Sequence, residues 1–248
     1  MPNKWTTKIS GEVSGETVIR GYKLTEMILN LNFTQALFLT LKGELPTEVE
    51  EKMLNAILVA SVDHGIGAPS TTAARISASV GNPLHVALAA GILSTGKLHG
   101  GAVKKAAKIF QENLGEKTAT EVVAHFEEKG KRIPGFGHKI YDVDPRTEEI
   151  IRLAKEVKFP TKYIDFALEI QEELESKKGK KLPLNIDGIV ACVISEMGFA
   201  PTVANAFFLI PRTVGLSAHI QEEKEEEKPV RRLGEEEVSY EGPKGKTL

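Results

Sequence analysis

Cysteine is almost missing from this chain. Cys192 stands alone among 248 residues, which excludes an intramolecular disulfide and any metal site built on a cysteine cluster, and suits a reducing compartment. Long apolar runs are missing as well. No stretch approaches the length of a membrane span and residues 1–20 hold no apolar signal-peptide core, so a cytoplasmic location is expected. Neither sign of charge dominates: 32 Lys and Arg stand against 34 Asp and Glu, a net charge of -2, with no general pull toward nucleic acid or a membrane surface. So many charges beside only four Met suit a heat-adapted protein. Internal repeats and period-two alternation are also lacking. The length suffices for one large domain or two modest ones with a sizeable core.

What the sequence does contain is helix punctuation. Asn32 precedes an apolar run that stops at Gly43, and Thr47 with Glu50 forms a capping box for a helix running toward His64. Ser70 reads as the cap of a short helix ending near Gly81, and Asn82-Pro83 opens another toward Gly96. Thr118 with Glu121 repeats the capping box before Gly130. Asp144-Pro145 starts a helix to about Lys158, and Thr161 one to about Gly179. Gly188–Gly198 continues the pattern with Asp187 at or beside its start. After Pro201 an apolar helix runs through Phe207 and Phe208, is expected to kink at Pro211, and passes Arg212 and His219 on a shared face. Only Thr7–Tyr22, with Gly11 and Gly15 between short apolar stretches, reads as a β-hairpin. The expected class is all-α.

The densest chemistry lies in Arg132-Ile-Pro-Gly-Phe-Gly-His138-Lys-Ile-Tyr-Asp-Val-Asp-Pro-Arg146. Gly135 and Gly137 allow positive φ and close backbone approach, Asp144 and Pro145 read as N-cap and first helical residue, and Arg146 falls in the first turn. A histidine, an arginine fork and free helix N–H groups suit a carboxylate-bearing ligand. Gly135-Phe-Gly137 is too short for a dinucleotide fingerprint and follows no predicted strand, which argues against a nicotinamide site. Elsewhere two readings stay open. His64 is either a ligand or a C-terminal histidine on its own helix dipole. His99, before Gly100-Gly101, either presents its ring to a ligand or marks a tight helix approach. Asp187 is either a plain N-cap or a catalytic carboxylate, ionised at neutral pH by the helix dipole. Arg212 in an apolar helix requires a partner anion. His85, His125 and His219 read as packing or surface residues, and Glu222–Glu227 as a solvated helix end.

Taken in order, Asp63-His64-Gly65, Leu98-His99-Gly-Gly-Ala102, Pro134-Gly-Phe-Gly-His138, Asp144-Pro145-Arg146, Asn185-Ile-Asp187-Gly188 and Arg212-Thr-Val-Gly215 resemble the ordered motifs of the citrate synthase superfamily. Ile19-Arg-Gly-Tyr22 and Lys42-Gly-Glu-Leu-Pro46 resemble its opening segment. Two departures are informative. Citrate synthases carry a long helical insert where this chain has only Thr47–Val62, and commonly Asp-His-Glu where it has Asp63-His64-Gly65. Both departures, and the spacing from Arg232 to Val238-Ser-Tyr240, are similar to the compact lyase branch: citryl-CoA lyase and the citrate synthase-like module of ATP-citrate lyase.

The resemblance implies a large domain from residues 1–102 and 189–248, a small domain over 103–188, and cleavage of citryl-CoA to acetyl-CoA and oxaloacetate. It implies His99, His138 and Asp187 as catalytic residues and His64, Arg146, Arg212 and Arg232 as carboxylate ligands. Arg232 would act from the partner of a homodimer, although Arg231 is adjacent and the usual Arg-Pro pair is Lys228-Pro229 here. Coenzyme A would lie along Pro134, Gly135, Phe136 and Gly137 as part of the substrate, with no tightly bound cofactor and no metal. A separate protein would have to form citryl-CoA, as in the reductive tricarboxylic acid cycle. The alternatives are a citrate or 2-methylcitrate synthase, and a non-catalytic helical partner subunit, against which the joint presence of His99, His138 and Asp187 argues.

Overall fold

The computed structural model describes residues 4–138 and 142–247; Lys139, Ile140 and Tyr141 of the expected ligand loop lie outside the described residues. The expected hairpin forms: β1 (Ser10–Val13) pairs antiparallel with β2 (Glu16–Ile19), and β3 (Tyr22–Lys23) adds to β2. Apart from isolated bridges, the other regular elements of the described residues are helices, as expected. The helices are α1 (Leu24–Asn30), α2 (Phe33–Lys42), α3 (Glu48–Ala60), α4 (Pro69–Ser79), α5 (Leu84–Leu93), α6 (Ala102–Asn113), α7 (Ala119–Glu128), α8 (Pro145–Glu156), α9 (Lys162–Lys178), α10 (Ile186–Glu196) and α11 (Ala206–Glu226).

The caps explain most of the starts. Asn32 with Gln35, Thr47 with Glu50 and Thr118 with Glu121 each form the reciprocal capping box, satisfying two otherwise unpaired N–H groups per helix. One expected cap is corrected. Ser70 is fully buried inside α4, which Ala68 and Pro69 open, because proline at the first helical position needs no donor. Thr161 stands at the start of α9 and Gly179 at its end, as expected; the Tyr163 N–H is bound by Glu196 Oε1 at 2.6 Å. Helix α3 also stops at Ala60, short of His64.

The chain divides into two compact units, 4–62 with 96–212, and 63–95 with 213–247. In the first unit α10 is the central element: Ile189–Ile194 is buried without interruption, as an all-apolar helix must be. Met53, Leu54 and Ile57 of α3, Ala106 and Phe110 of α6, and Ile164 and Ile170 of α9 complete the same core. The second unit has a smaller one, formed by Ala74 and Ala78 of α4, Ala87 of α5, and Leu216 and Ile220 of α11. Among the described residues no helix is long and apolar enough to cross a membrane.

Candidate active site

The polar centre of the first unit is built on the start of α10. Asn185 caps it, its Oδ1 accepting the N–H groups of Asp187 at 3.1 Å and Gly188 at 3.2 Å. The same residue holds the glycine loop: its N–H donates to Gly135 O at 2.9 Å and its Nδ2 to Gly137 O at 2.9 Å, while Gly137 N–H donates to Pro183 O at 2.7 Å. Gly135 has φ +93, and a Cβ there would lie 2.9 Å from Gly188 Cα; one on Gly188 would meet Gly135 O at 2.4 Å. Only a glycine pair permits this contact, which carries the half-buried His138 to the head of α10.

Helix α8 is tied to the same place. Asp144, fully buried, caps α8 by accepting Arg146 N–H at 3.1 Å and grips the Arg146 side chain at Nε (3.0 Å) and Nη2 (2.8 Å). Its Oδ2 also accepts Ile186 N–H at 3.2 Å, joining two helix starts through one carboxylate. Burial acts to raise the Asp144 pKa, but the Arg146 guanidinium and N–H outweigh it and hold the carboxyl below its ordinary range, with His138 contributing. Part of Arg146's charge is therefore already balanced by Asp144.

Asp187 behaves oppositely. Burial pushes its pKa above the ordinary value, opposed by Arg146 and Arg212 and reinforced by Asp144. The helix dipole expected to favour the charged form is opposed by desolvation, which disfavours that form more strongly than Arg146 and Arg212 favour it. A carboxyl that holds its proton to higher pH is suited to donate one.

Phe208, not singled out in the sequence, connects two of the residues that were. Its ring stands edge-on to His99 at 5.8 Å between centroids and lies 4.9 Å beneath the guanidinium carbon of the buried Arg212. Gly100, at φ +77, leaves room for that ring: a Cβ there would lie 2.6 Å from Phe208 Cε1. Four residues separate Phe208 from Arg212 on α11, a helical neighbour spacing that a search for polar residues passes over.

Beside the loop is a cleft of about 590 Å³ whose lining includes Phe136, Gly137, His138 and the cations Lys131, Arg132 and Lys180. Its size suits a small-molecule site. Pro134 and Gly135 do not line it. The first unit thus holds His99, His138, Arg146, Asp187 and Arg212, whereas His64 and Arg232 belong to the second, where both are exposed. Asp63, next to His64, accepts Gly65 N–H at 2.8 Å and lies 3.2 Å from His219 Nε2, so His219, expected in a packing or surface role, has a carboxylate partner at the surface. The glutamate run is likewise corrected. Glu223 is 2% exposed because it is the shared partner of Arg75 and Arg231. His85 is exposed on α5 and His125 rests edge-on against Phe126 at 5.8 Å, as expected.

Comparison with known proteins adds the family context. Residues 24–233 match the model of the citrate synthase C-terminal domain. The citrate synthase of Haloferax volcanii is 31% identical over 219 residues, covering 86% of this chain and 57% of its own length; the chain thus spans little more than half of that relative. Among solved structures, the citryl-CoA lyase of Hydrogenobacter thermophilus superposes with a TM-score of 0.95 at 45% identity, covering 99% of this chain and 98% of that one. The ATP citrate lyase of Methanosaeta concilii in complex with (3S)-citryl-CoA superposes with a TM-score of 0.87 at 25% identity, covering 98% of this chain and 42% of that one.

Proposed function

The chain belongs to the citrate synthase family, and from that premise we propose that it is a citryl-CoA lyase, cleaving citryl-CoA to acetyl-CoA and oxaloacetate. The observation that carries the reading is the placement of Asp187 at the head of α10, where Asn185 holds both its N–H and the loop ending in His138, and where Asp144 ties in the start of α8 with Arg146; burial raises its pKa there against the opposing pull of Arg146 and Arg212. That is the requirement for an acid working next to a carboxylate-bearing substrate. The likeness to a lyase along nearly the whole of both chains supports the same direction.

In the cleavage His138 accepts the proton of the tertiary hydroxyl, whose oxygen becomes the oxaloacetate carbonyl. The electrons of the breaking carbon–carbon bond pass into the acetyl thioester as an enolate, and His99 holds its oxygen with a hydrogen bond that strengthens as charge develops. Asp187 then delivers its proton to the enolate carbon, leaving acetyl-CoA. Proton exchange with solvent resets His138 and Asp187. Arg146 and Arg212 bind substrate carboxylates, joined by His64 and by Arg232 from the partner of a homodimer. Coenzyme A lies against the backbone of the loop from Pro134 through Gly135 and Phe136 to Gly137, with Lys131, Arg132 and Lys180 of the cleft meeting its phosphates. Residues 103–188 act as the small domain that closes over the substrate and excludes water. A separate synthetase supplies citryl-CoA, and the fully buried single cysteine suits a cytoplasmic enzyme.

Incubating the purified protein with citryl-CoA, and separately with oxaloacetate plus acetyl-CoA, tests the reading. The first mixture is expected to yield oxaloacetate and acetyl-CoA, the second little free coenzyme A. Rapid, stoichiometric release of free coenzyme A from the second mixture would make the protein a citrate synthase instead.

A further inference from the structure

The second unit contains a chain of charged side chains with a carboxylate-binding candidate at each end. Arg231 grips Glu223 with two hydrogen bonds, Nε to Oε1 at 2.9 Å and Nη2 to Oε2 at 2.8 Å. Glu223 Oε2 also accepts Arg75 Nε at 2.6 Å, and Arg75 Nη1 reaches Glu222 Oε2 at 2.5 Å. Glu222 lies 3.6 Å from His219 Nδ1, whose other nitrogen is 3.2 Å from Asp63 Oδ1. Asp63 closes the sequence by accepting Gly65 N–H across His64. At the other end, Arg231 N–H donates to Ser79 Oγ at 3.2 Å, fixing the backbone immediately before Arg232.

Two features distinguish this chain from an ordinary surface network. Its centre is dry: the Arg75 side chain is 4% exposed and that of Glu223 0%, where an ion pair is weak evidence for stability and is better explained by the geometry it enforces. Its ends are also placed unevenly, in one loop and in one extended segment, neither of which has a helix or sheet ladder to fix the side chain it carries.

We propose that Arg231 and His219 are positioning residues, holding Arg232 and His64 respectively in the geometry that binds a dicarboxylate such as oxaloacetate. The inference rests on the assignment of Arg232 and His64 as carboxylate ligands given above. It separates the two adjacent arginines: Arg231 is committed to its own chain through Glu223, and Arg232 is the one presented outward.

Calorimetric titration of the full-length protein with oxaloacetate, and separately with coenzyme A, tests this. Arg231→Gln and His219→Asn are each expected to weaken oxaloacetate binding roughly tenfold through misplacement of the ligand next door, with coenzyme A binding unchanged and Arg231→Lys restoring part of the loss. Because each acts through its neighbour, Arg231→Gln with Arg232→Ala is expected to bind no more weakly than Arg232→Ala alone, and His219→Asn with His64→Ala no more weakly than His64→Ala alone. Multiplying defects, or wild-type affinity in both positioning variants, would overturn the proposal. If Arg232→Ala and His64→Ala themselves leave oxaloacetate binding unchanged, the ligand assignment fails and the positioning role with it. Should Arg231→Gln not fold, Ser79→Ala removes only the hydroxyl holding the Arg231 backbone and is expected to weaken oxaloacetate binding in the same selective way; unchanged affinity would overturn the Arg231 role.

Discussion

At the heads of α8 and α10 charges are organised by near neighbours, whereas on the facing sides of α4 and α11 they are organised across the sequence. Asp144 binds the backbone and side chain of Arg146, two residues on, and Asn185 binds the N–H groups of Asp187 and Gly188. Arg75, in contrast, meets Glu223 across 148 residues of sequence. Electrostatics separates the two regions as well. Burial raises the pKa of Asp187 at the first, while at the second the Arg231 guanidinium, helped by Arg75, holds Glu223 below the ordinary glutamate value. At the first region burial disfavours the charged carboxyl; at the second the arginines favour it, and the same contacts tie distant chain segments together.

Removing the shared carboxylate is expected to have the largest effect. Glu223→Ala leaves Arg75 buried with only its more exposed glutamate partners, and a loss of about 3–5 kcal/mol in unfolding free energy is expected from denaturant titration. The pH dependence has a definite sign. A lowered folded-state pKa gives stability that is complete above the unfolded value and lost as pH falls through the folded one, so acid should destabilise the wild type more than Glu223→Ala. A stability gap that stays constant as pH falls would detach the network from that titration.

Asp144→Ala comes next. It strips a buried partner from Arg146 and an acceptor from Ile186 N–H, with an expected loss on the order of 3 kcal/mol, the lower end of the range for a broken buried pair, because the Arg146 side chain stays 25% exposed. Cleavage of citryl-CoA should fall with it. A variant of wild-type stability would mean that Asp144 does not join the two helix starts in solution.

Asp187→Asn separates activity from stability. Turnover is expected to drop by roughly 10²-fold or more, about 2.7 kcal/mol of barrier, with loss of the general acid. Stability should move the other way. Because the folded-state pKa of Asp187 is raised, wild-type stability decreases as pH rises through the unfolded value toward the folded one, so the neutral asparagine should melt higher than aspartate at pH 7. That advantage should disappear below the ordinary aspartate pKa. An asparagine variant less stable than the wild type at pH 7 would contradict the burial-driven shift. The smallest effect belongs to an exposed cap: Thr118→Ala should cost about 1 kcal/mol and leave cleavage unchanged.

The contrast between the regions also explains what could be read from the sequence. Asp144-Pro145, Asn32, Thr47-Glu50 and Thr118-Glu121 act on backbone groups a few residues away, so the helix starts and the residues they carry were legible. The glycine loop was legible for the same reason, although only the structure shows that Gly135 needs a second glycine, Gly188, opposite it. Ser70 misled because a hydroxyl near a helix start resembles a cap, when Pro69 had already taken the first position. The glutamate run misled because its composition suits solvent, and nothing local indicates that Arg75 buries Glu223. Phe208 was missed because its role is to support His99 and Arg212 with an aromatic face, which carries no polar signature. Desolvation of Asp187 was equally hidden, since burial depends on helices far away in sequence.

The most direct measurement is a single turnover of citryl-CoA in deuterated water, with products analysed by mass spectrometry. The expected products are oxaloacetate and acetyl-CoA in equal amounts, the acetyl methyl carrying one solvent-derived deuteron in the wild type, with cleavage sharply slowed in Asp187→Asn. Citrate and free coenzyme A as the products, or unslowed cleavage in Asp187→Asn, would contradict the proposed mechanism.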